Sequence, residues 1–176
     1  SSNQEEGASM DITGLIGQYA HGNEPSHHTT YMYAYSGEPY KIADKVRYIN
    51  NELYTDQPDG LSGNEDCGQM SAWYMFSSMG FYPVNPSNGA YVFGSPLFDE
   101  VLIDLPKDKS FKIIADNNSD QNIYIQSVEL NGIAHNHSYI THKQIMNGGE
   151  LRFIMGNKPN YNFGKDKKFR PASIVY

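Results

Sequence analysis

Apolar residues follow two different rhythms along the chain. In PYKIADKVRYINNEL, Ile42, Val46, Ile49 and Leu53 recur three or four residues apart, the spacing of one face of an α-helix. Pro39 suits the first turn of that helix, where a missing N–H costs nothing. The preceding HTTYMYAYSG can make about three helical turns at 3.6 residues each, ending at Gly37. In CGQMSAWYMFSSMG, Met70, Trp73, Met75, Phe76 and Met79 spread over more than one face. That breadth predicts a helix buried on most sides and stopped by Gly80.

Beyond FYPVNPSNG the period shortens from 3.6 to 2. VLIDLP, SFKIIAD, NIYIQSVEL, ELRFIMG and ASIVY are short, rich in β-branched and aromatic residues, and bounded by Gly, Pro, Asn and Asp turns. Asn131-Gly132 reads as a tight hairpin. The expected fold is therefore α+β: helices from about Ile12 to Gly80, then an antiparallel β unit from about Ala90 to Tyr176, with the division between Phe81 and Ala90. Three helices make a poor bundle and five or six strands a modest sandwich, so the chain reads as a fragment of something larger.

Composition narrows the function. The 176 residues suffice for one or two real cores. A net charge of −7 argues against a nucleic-acid footprint, and the basic run GKDKKFR reads as a solvated surface segment. No apolar run approaches the roughly 20 residues of a membrane span, and SSNQEEGAS has no signal-peptide character. Cys67, the single cysteine, allows no intrachain disulfide and has no basic partner nearby in sequence to activate it. Tyrosine, with 14 copies, supplies the amphipathic rings favoured at carbohydrate sites and wet interfaces.

Two polar loops concentrate the chemistry: YAHGNEPSHH before the helix pair and PDGLSGNEDCG after it. Antiparallel helices return the chain to the end where they began, so the loops should lie side by side. Glu24, Asp59, Glu65 and Asp66 would then share a pocket with His21, Asn23, His27, His28 and Asn64. Zinc on the three histidines lacks any HExxH or CxxC spacing. Oxygen donors suit calcium, and paired carboxylates suit glycoside hydrolysis, in which one acid protonates the leaving oxygen and one carboxylate activates water. The plainer alternative is helix capping, with Asn64 or Asp66 holding free backbone N–H groups and His27 and His28 bonding nearby backbone.

GQYAHGNEPSHHTTYMY, PDGLSGNEDCGQMSAWYMFSSMGFYPVNP and the following YVFGSPLF resemble the C-terminal part of bacterial α-1,2-mannosidases of glycoside hydrolase family 92. The resemblance implies that residues 1–89 are the last helices of an (α/α)6 toroid and residues 90–176 a small antiparallel, sandwich-like β unit. It implies a calcium-dependent, inverting exo-α-mannosidase acting on mannose-containing glycans, periplasmic or secreted. It places the general base on Asp66, with Asn64 where some relatives carry a second aspartate. Asn23 and Glu24 fall on the terminal-mannose contacts and are candidate Ca2+ ligands, supported by His21, His27 and His28. The family's acid is a glutamate upstream of HGNEP, and no position in Ser1–Gly22 matches it. The chain alone is then expected to be inactive and prone to self-association. The competing reading is a noncatalytic carbohydrate-binding or interaction module.

Overall fold

The computed structural model describes residues 13–173. It opens with a hairpin of two-residue strands, β1 (Leu15–Ile16) and β2 (Tyr19–Ala20), where helix had been expected from Ile12, itself outside the described residues. Gly14 and Gly17 carry φ of +63° and +61°, which break any helix and turn the chain back. The next stretch is helical in pieces: a 3₁₀ turn at Thr29–Met32 leads into α1 (Tyr33–Ser36). Gly37, at φ 85°, ends it in the left-handed conformation. The Arg170 guanidinium covers that glycine, so at least this member of the basic run packs on the protein.

Helix α2 (Tyr40–Glu52) buries Ile42, Val46 and Ile49 as its spacing predicts. Helix α3 (Gln69–Met79) buries Met70 and Trp73 and is closed by Gly80 at φ 100°. It is not buried on most sides: Met75 is 50% exposed, because α2 and the strands that follow cover only part of its circumference.

The strand-rich half begins immediately after Gly80. β3 (Phe81–Asn85) pairs with β4 (Ala90–Phe93), and β4 with β9 (Tyr139–Thr141), in a three-stranded antiparallel sheet. The larger sheet contains β5 (Glu100–Leu105), β6 (Lys109–Asp116), β7 (Tyr124–Leu130), β8 (Ile133–Ala134) and β10 (Gly149–Gly156), in the order β5-β6-β10-β7-β8. The wholly antiparallel unit expected from sequence is corrected here, since β10 runs parallel to β6. A short helix, α4 (His142–Met146), lies between β9 and β10 and starts in a capping box formed by Thr141 and Gln144. The Asn131-Gly132 hairpin joins β7 to β8 with both residues at positive φ. Of the expected strand ASIVY, residues 172–173 are not in a strand and residues 174–176 lie outside the described residues.

The small sheet is a wall with a core on each side. Phe81 and Phe93 join Phe111, Ile113, Leu151 and Phe153 of the large sheet. Tyr82 and Val92, one residue along each strand, join Tyr31, Ile42, Val46, Ile49 and Trp73 of the helices. The alternation of a strand thus sends neighbouring residues into different cores, and Phe76 packs against both.

Arg47 fastens α2 to the strand-rich half. Its buried guanidinium donates from Nε to Ser95 Oγ at 3.0 Å and from Nη2 to the Pro96 carbonyl and Asn118 Oδ1. Tyr124 adds a hydroxyl bond to Asp44 Oδ1 at 2.6 Å. Removing the Arg47 fork would strand several acceptors away from water, each costing about 1–3 kcal/mol if left unpaired. Arg47→Ala should therefore lower the unfolding free energy by on the order of 3 kcal/mol, with Arg47→Lys recovering only part because an ammonium lacks the fork geometry. Urea unfolding curves check this; a loss under about 0.5 kcal/mol, the range of an ordinary surface substitution, would show that the fork does not hold the halves together.

Candidate active site

The two polar loops do meet. Gly22 lies so close to the second loop that a Cβ there would sit 2.3 Å from the Ser62 carbonyl and 2.1 Å from Thr13 Oγ1. Only a glycine permits this approach.

Beside that contact, His21 is fully buried and both its ring nitrogens are bonded: Nδ1 to the Tyr19 hydroxyl at 2.8 Å and Nε2 to the Tyr54 hydroxyl at 2.7 Å. Tyr54 gives its own proton to the Met70 carbonyl at 3.0 Å, so it accepts from His21 Nε2–H, and Tyr19 donates to Nδ1. His21 is thereby assigned as the neutral Nε2–H tautomer. His27 stacks on it with ring centroids 4.7 Å apart. Its Nε2 donates to the His21 carbonyl at 2.8 Å and its Nδ1 accepts from Gln69 Nε2 at 3.1 Å. Trp73 closes the knot, lying edge-on to His21 at 4.5 Å and donating from Nε1 to the His27 carbonyl at 3.1 Å. All four imidazole nitrogens are engaged, so His21 and His27 have none free for zinc or a sugar and serve as supports of the loop.

The remaining candidates hang from this knot. Asn23 and Glu24 are exposed, and Glu24 begins a 3₁₀ turn, Glu24–Ser26, whose carbonyl at Glu24 accepts the His27 N–H at 3.1 Å. His28 is exposed on the following turn, and Asn64 is exposed in the second loop. Asp59 is exposed at the far tip of that loop, and among the described residues nothing joins it to the other acids.

Glu65, Asp66 and Cys67 decide between capping and chemistry. Glu65 does the capping: its Oε1 accepts the Ser71 N–H at 2.9 Å and its Oε2 the Ser71 hydroxyl at 2.8 Å. Asp66 is thereby left out of the helix end. It sits at φ 52°, followed by Cys67 at 56° and Gly68 at 93°. A left-handed run with two non-glycine residues is strained, and such strain gathers where a side chain must be aimed. Partial burial first, then the neighbouring Glu24 carboxyl, raise the Asp66 carboxyl above the usual carboxylate range. The exposed Cys67 is a free thiol.

Tyr19, Tyr54 and Gln69 were not foreseen from sequence. Tyr54 and Gln69 lie 33 and 42 residues from their histidine partners, and no local spacing marks such pairs. A cavity of about 470 Å³ lies behind the first loop, lined by Ile16, Tyr19, Thr30, Met32, Tyr33 and Lys45, and holds neither Glu24 nor Asp66.

The knot has a pH signature. Burial, then the neighbouring His27, push the His21 imidazole down to about 3, and burial also lowers His27. The unfolded chain binds these protons near pH 6.5, so stability is full above that value and is lost as pH falls toward 3. Between pH 6 and 4 the unfolding free energy should drop by about 1.4 kcal/mol per pH unit for each histidine kept neutral. Asp66, shifted upward, works in the opposite sense. Urea unfolding across this range should show a slope that His21→Gln reduces; an identical slope in His21→Gln would mean that His21 takes up protons in the folded state.

The sequence profile of the glycosyl hydrolase family 92 catalytic domain matches residues 1–157. An uncharacterized secreted glycosidase of Arthroderma benhamiae is 32% identical over 156 residues, 87% of this chain and 20% of the relative. A family GH92 α-mannosidase of Bacteroides thetaiotaomicron, solved with mannoimidazole, superposes with a TM-score of 0.89 at 46% identity, over 93% of this chain and 22% of that one. The family GH92 inverting mannosidase of the same organism gives 0.84 at 43% identity, over 89% and 21%. The chain thus spans about a fifth of the length of these relatives. A profile match over most of the residues, carrying both polar loops, has one consequence: the chain belongs to glycosyl hydrolase family 92.

Proposed function

We propose that this chain supplies one wall of the active site of an exo-α-mannosidase, with Asp66 as the general base. The observation that carries the reading is the division of labour at the start of α3. Glu65 holds the helix, so Asp66 is spared that task and its carboxyl feels the charge of the neighbouring Glu24.

In this reading Asn23 and Glu24 bind the terminal mannose, with His28 and Asn64 at the rim. Asp66 takes a proton from a water as its oxygen attacks the anomeric carbon. A glutamic acid elsewhere in the longer protein protonates the departing glycosidic oxygen. Attack by water opposite the leaving group inverts the anomeric centre, and α-1,2-linked mannose of glycans is the proposed substrate. The secreted relative favours a periplasmic or secreted setting.

Calcium fits these residues in kind and not in number. Asn23, Glu24 and Asp66 offer oxygen donors, and a cation beside Glu24 and Asp66 would relieve their repulsion. Yet calcium takes about 6–8 oxygens, and among the described residues no three His, Cys, Asp or Glu side chains gather into a metal site. We therefore assign Asn23 and Glu24 a share of the Ca2+ shell, completed by the longer protein. When bound, the ion would polarise and orient sugar hydroxyls.

We likewise place residues 1–89 at the end of the (α/α)6 toroid and residues 90–176 in its β-rich, sandwich-like extension, the β3-β4-β9 sheet forming the joint. The exposed Leu15, Met32 and Met75 and the cavity behind the first loop are where the rest of the longer protein packs. In the isolated chain these apolar surfaces favour self-association.

In the intact protein, Asp66→Asn should lower kcat by about 10² or more with little change in KM or thermal stability. Glu65→Ala should cost about 1 kcal/mol of stability as a lost cap and leave most of kcat. Near-normal turnover by a folded Asp66→Asn protein would return the residue to a structural role. The chain alone, given Ca2+ and an α-1,2-linked mannobiose, should release no mannose; turnover comparable to the intact protein would place the acid within this chain, at Glu24 or Glu65. Mannose binding without hydrolysis by both the chain and the intact protein would favour a carbohydrate-binding module.

A further inference from the structure

Each acid of the proposed site is joined by a single turn to a residue of one hydrogen bond. On the first loop, the Glu24 carbonyl accepts the His27 N–H at 3.1 Å. On the second, the Asp66 carbonyl accepts the Gln69 N–H at 3.2 Å. His27 and Gln69 then meet directly: Gln69 Nε2 donates to His27 Nδ1 at 3.1 Å. The result is a closed bracket, with Glu24 and Asp66 at the tips of two three-residue turns and the Gln69–His27 bond across their bases.

Both arms of the bracket are stiff. The Asp66 arm runs through Cys67 and Gly68, all three at positive φ. The Glu24 arm is a 3₁₀ turn with Pro25 in its first positions, which fixes one backbone angle. His27 cannot turn away, because its Nε2 is tied to the His21 carbonyl and its own carbonyl to Trp73. The Gln69 amide cannot present its oxygen to His27, because the His27 proton sits on Nε2 and Nδ1 can only accept; the second amide proton goes to the Tyr82 hydroxyl at 3.0 Å.

We propose that Gln69 is a positioning residue that sets the separation of Glu24 and Asp66 by bridging the two loops through His27. This rests on the reading of Asp66 as general base. Gln69 touches neither sugar nor water in that reading; it acts through the spacing of the two acids. The first loop keeps other ties when Gln69 is lost: His21 remains bonded to Tyr19 and Tyr54, and Trp73 to the His27 carbonyl. Losing the bridge therefore harms the placement of the attacking water more than the binding of mannose.

The test uses the intact protein that carries this chain, with Gln69→Leu and, should that variant fold poorly, Gln69→Met, which keeps the length and loses the donor. Kinetics on an α-1,2-linked mannobiose should show kcat lowered about 10–100-fold, the scale of a misplacement near 1 Å, with KM within about threefold. Tyr82→Phe, which keeps the Gln69–His27 bond, should retain kcat within about twofold. A packing role would instead lower the folded fraction and leave kcat per folded molecule unchanged; that result overturns the proposal. So does an equal loss in Tyr82→Phe. Crystal structures of the wild type and the Gln69 variant give a readout independent of turnover: the Asp66 carboxyl should move away from Glu24 when the bridge is removed. Should the wild type hydrolyse no mannoside, the function assigned above fails, while an unmoved Asp66 carboxyl in the variant structure overturns the bridge itself.

Discussion

A neutral imidazole sealed from water is the constraint on which the rest of the site depends. Burying His21 is tolerable only because Tyr19 and Tyr54 satisfy both of its nitrogens. Those two partners come from different places, the β1–β2 hairpin and the end of α2, and Tyr54 continues the chain of bonds to the Met70 carbonyl on α3. One side chain thus binds three elements. Because the bonds are directional, they fix the orientation of the elements as well as their proximity, and Asn23–His28 and Asn64–Asp66 are placed as a consequence.

The helices that carry this knot are themselves seated on the strands. The β3-β4-β9 sheet shows one face to Trp73 and Ile49 and the other to Phe111 and Phe153, so a change in either core is felt by the other. Arg47 and Tyr124 add polar ties across the same junction. A site made of two loops gains precision from such a base, since catalytic groups displaced by an ångström lose much of their effect. The strained run at Asp66, Cys67 and Gly68 is flanked by Glu65, bonded to Ser71, and by Gln69 and Trp73, bonded to His27, and the bonds of Gln69 and Trp73 steady the start of α3.

What the sequence reveals follows the range of the forces involved. Helix α2 was legible because Ile42, Val46 and Ile49 and Pro39 lie within one local window, and the four long strands of the large sheet because alternation is local too. The β1–β2 hairpin was not, since strands of two residues have no period and depend on Gly14 and Gly17. The parallel pairing of β6 with β10 was hidden because register between distant strands is decided by the packing of Phe111, Leu151 and Phe153. At the site, the side-by-side loops followed from topology, and the proposal of Asp66 as general base came from family resemblance. That Glu65 and not Asp66 caps α3 could not be read, because Glu65 reaches six residues ahead to Ser71 across a left-handed run. His21 and His27, expected beside Asn23 and Glu24 in binding mannose, have their ring nitrogens bonded within the protein instead, through partners no pattern announces.

The most direct measurement is a crystal structure of the intact protein with a nonhydrolysed mannoside or mannose-like inhibitor. The account predicts the terminal sugar between Asn23–His28 and Asn64–Asp66, with Glu24 against the sugar, Glu65 still bonded to Ser71, and Asp66 holding a water on the face of the anomeric carbon away from the leaving group. A sugar bound away from these loops, or Asp66 turned back to cap α3 with no water before it, would contradict it.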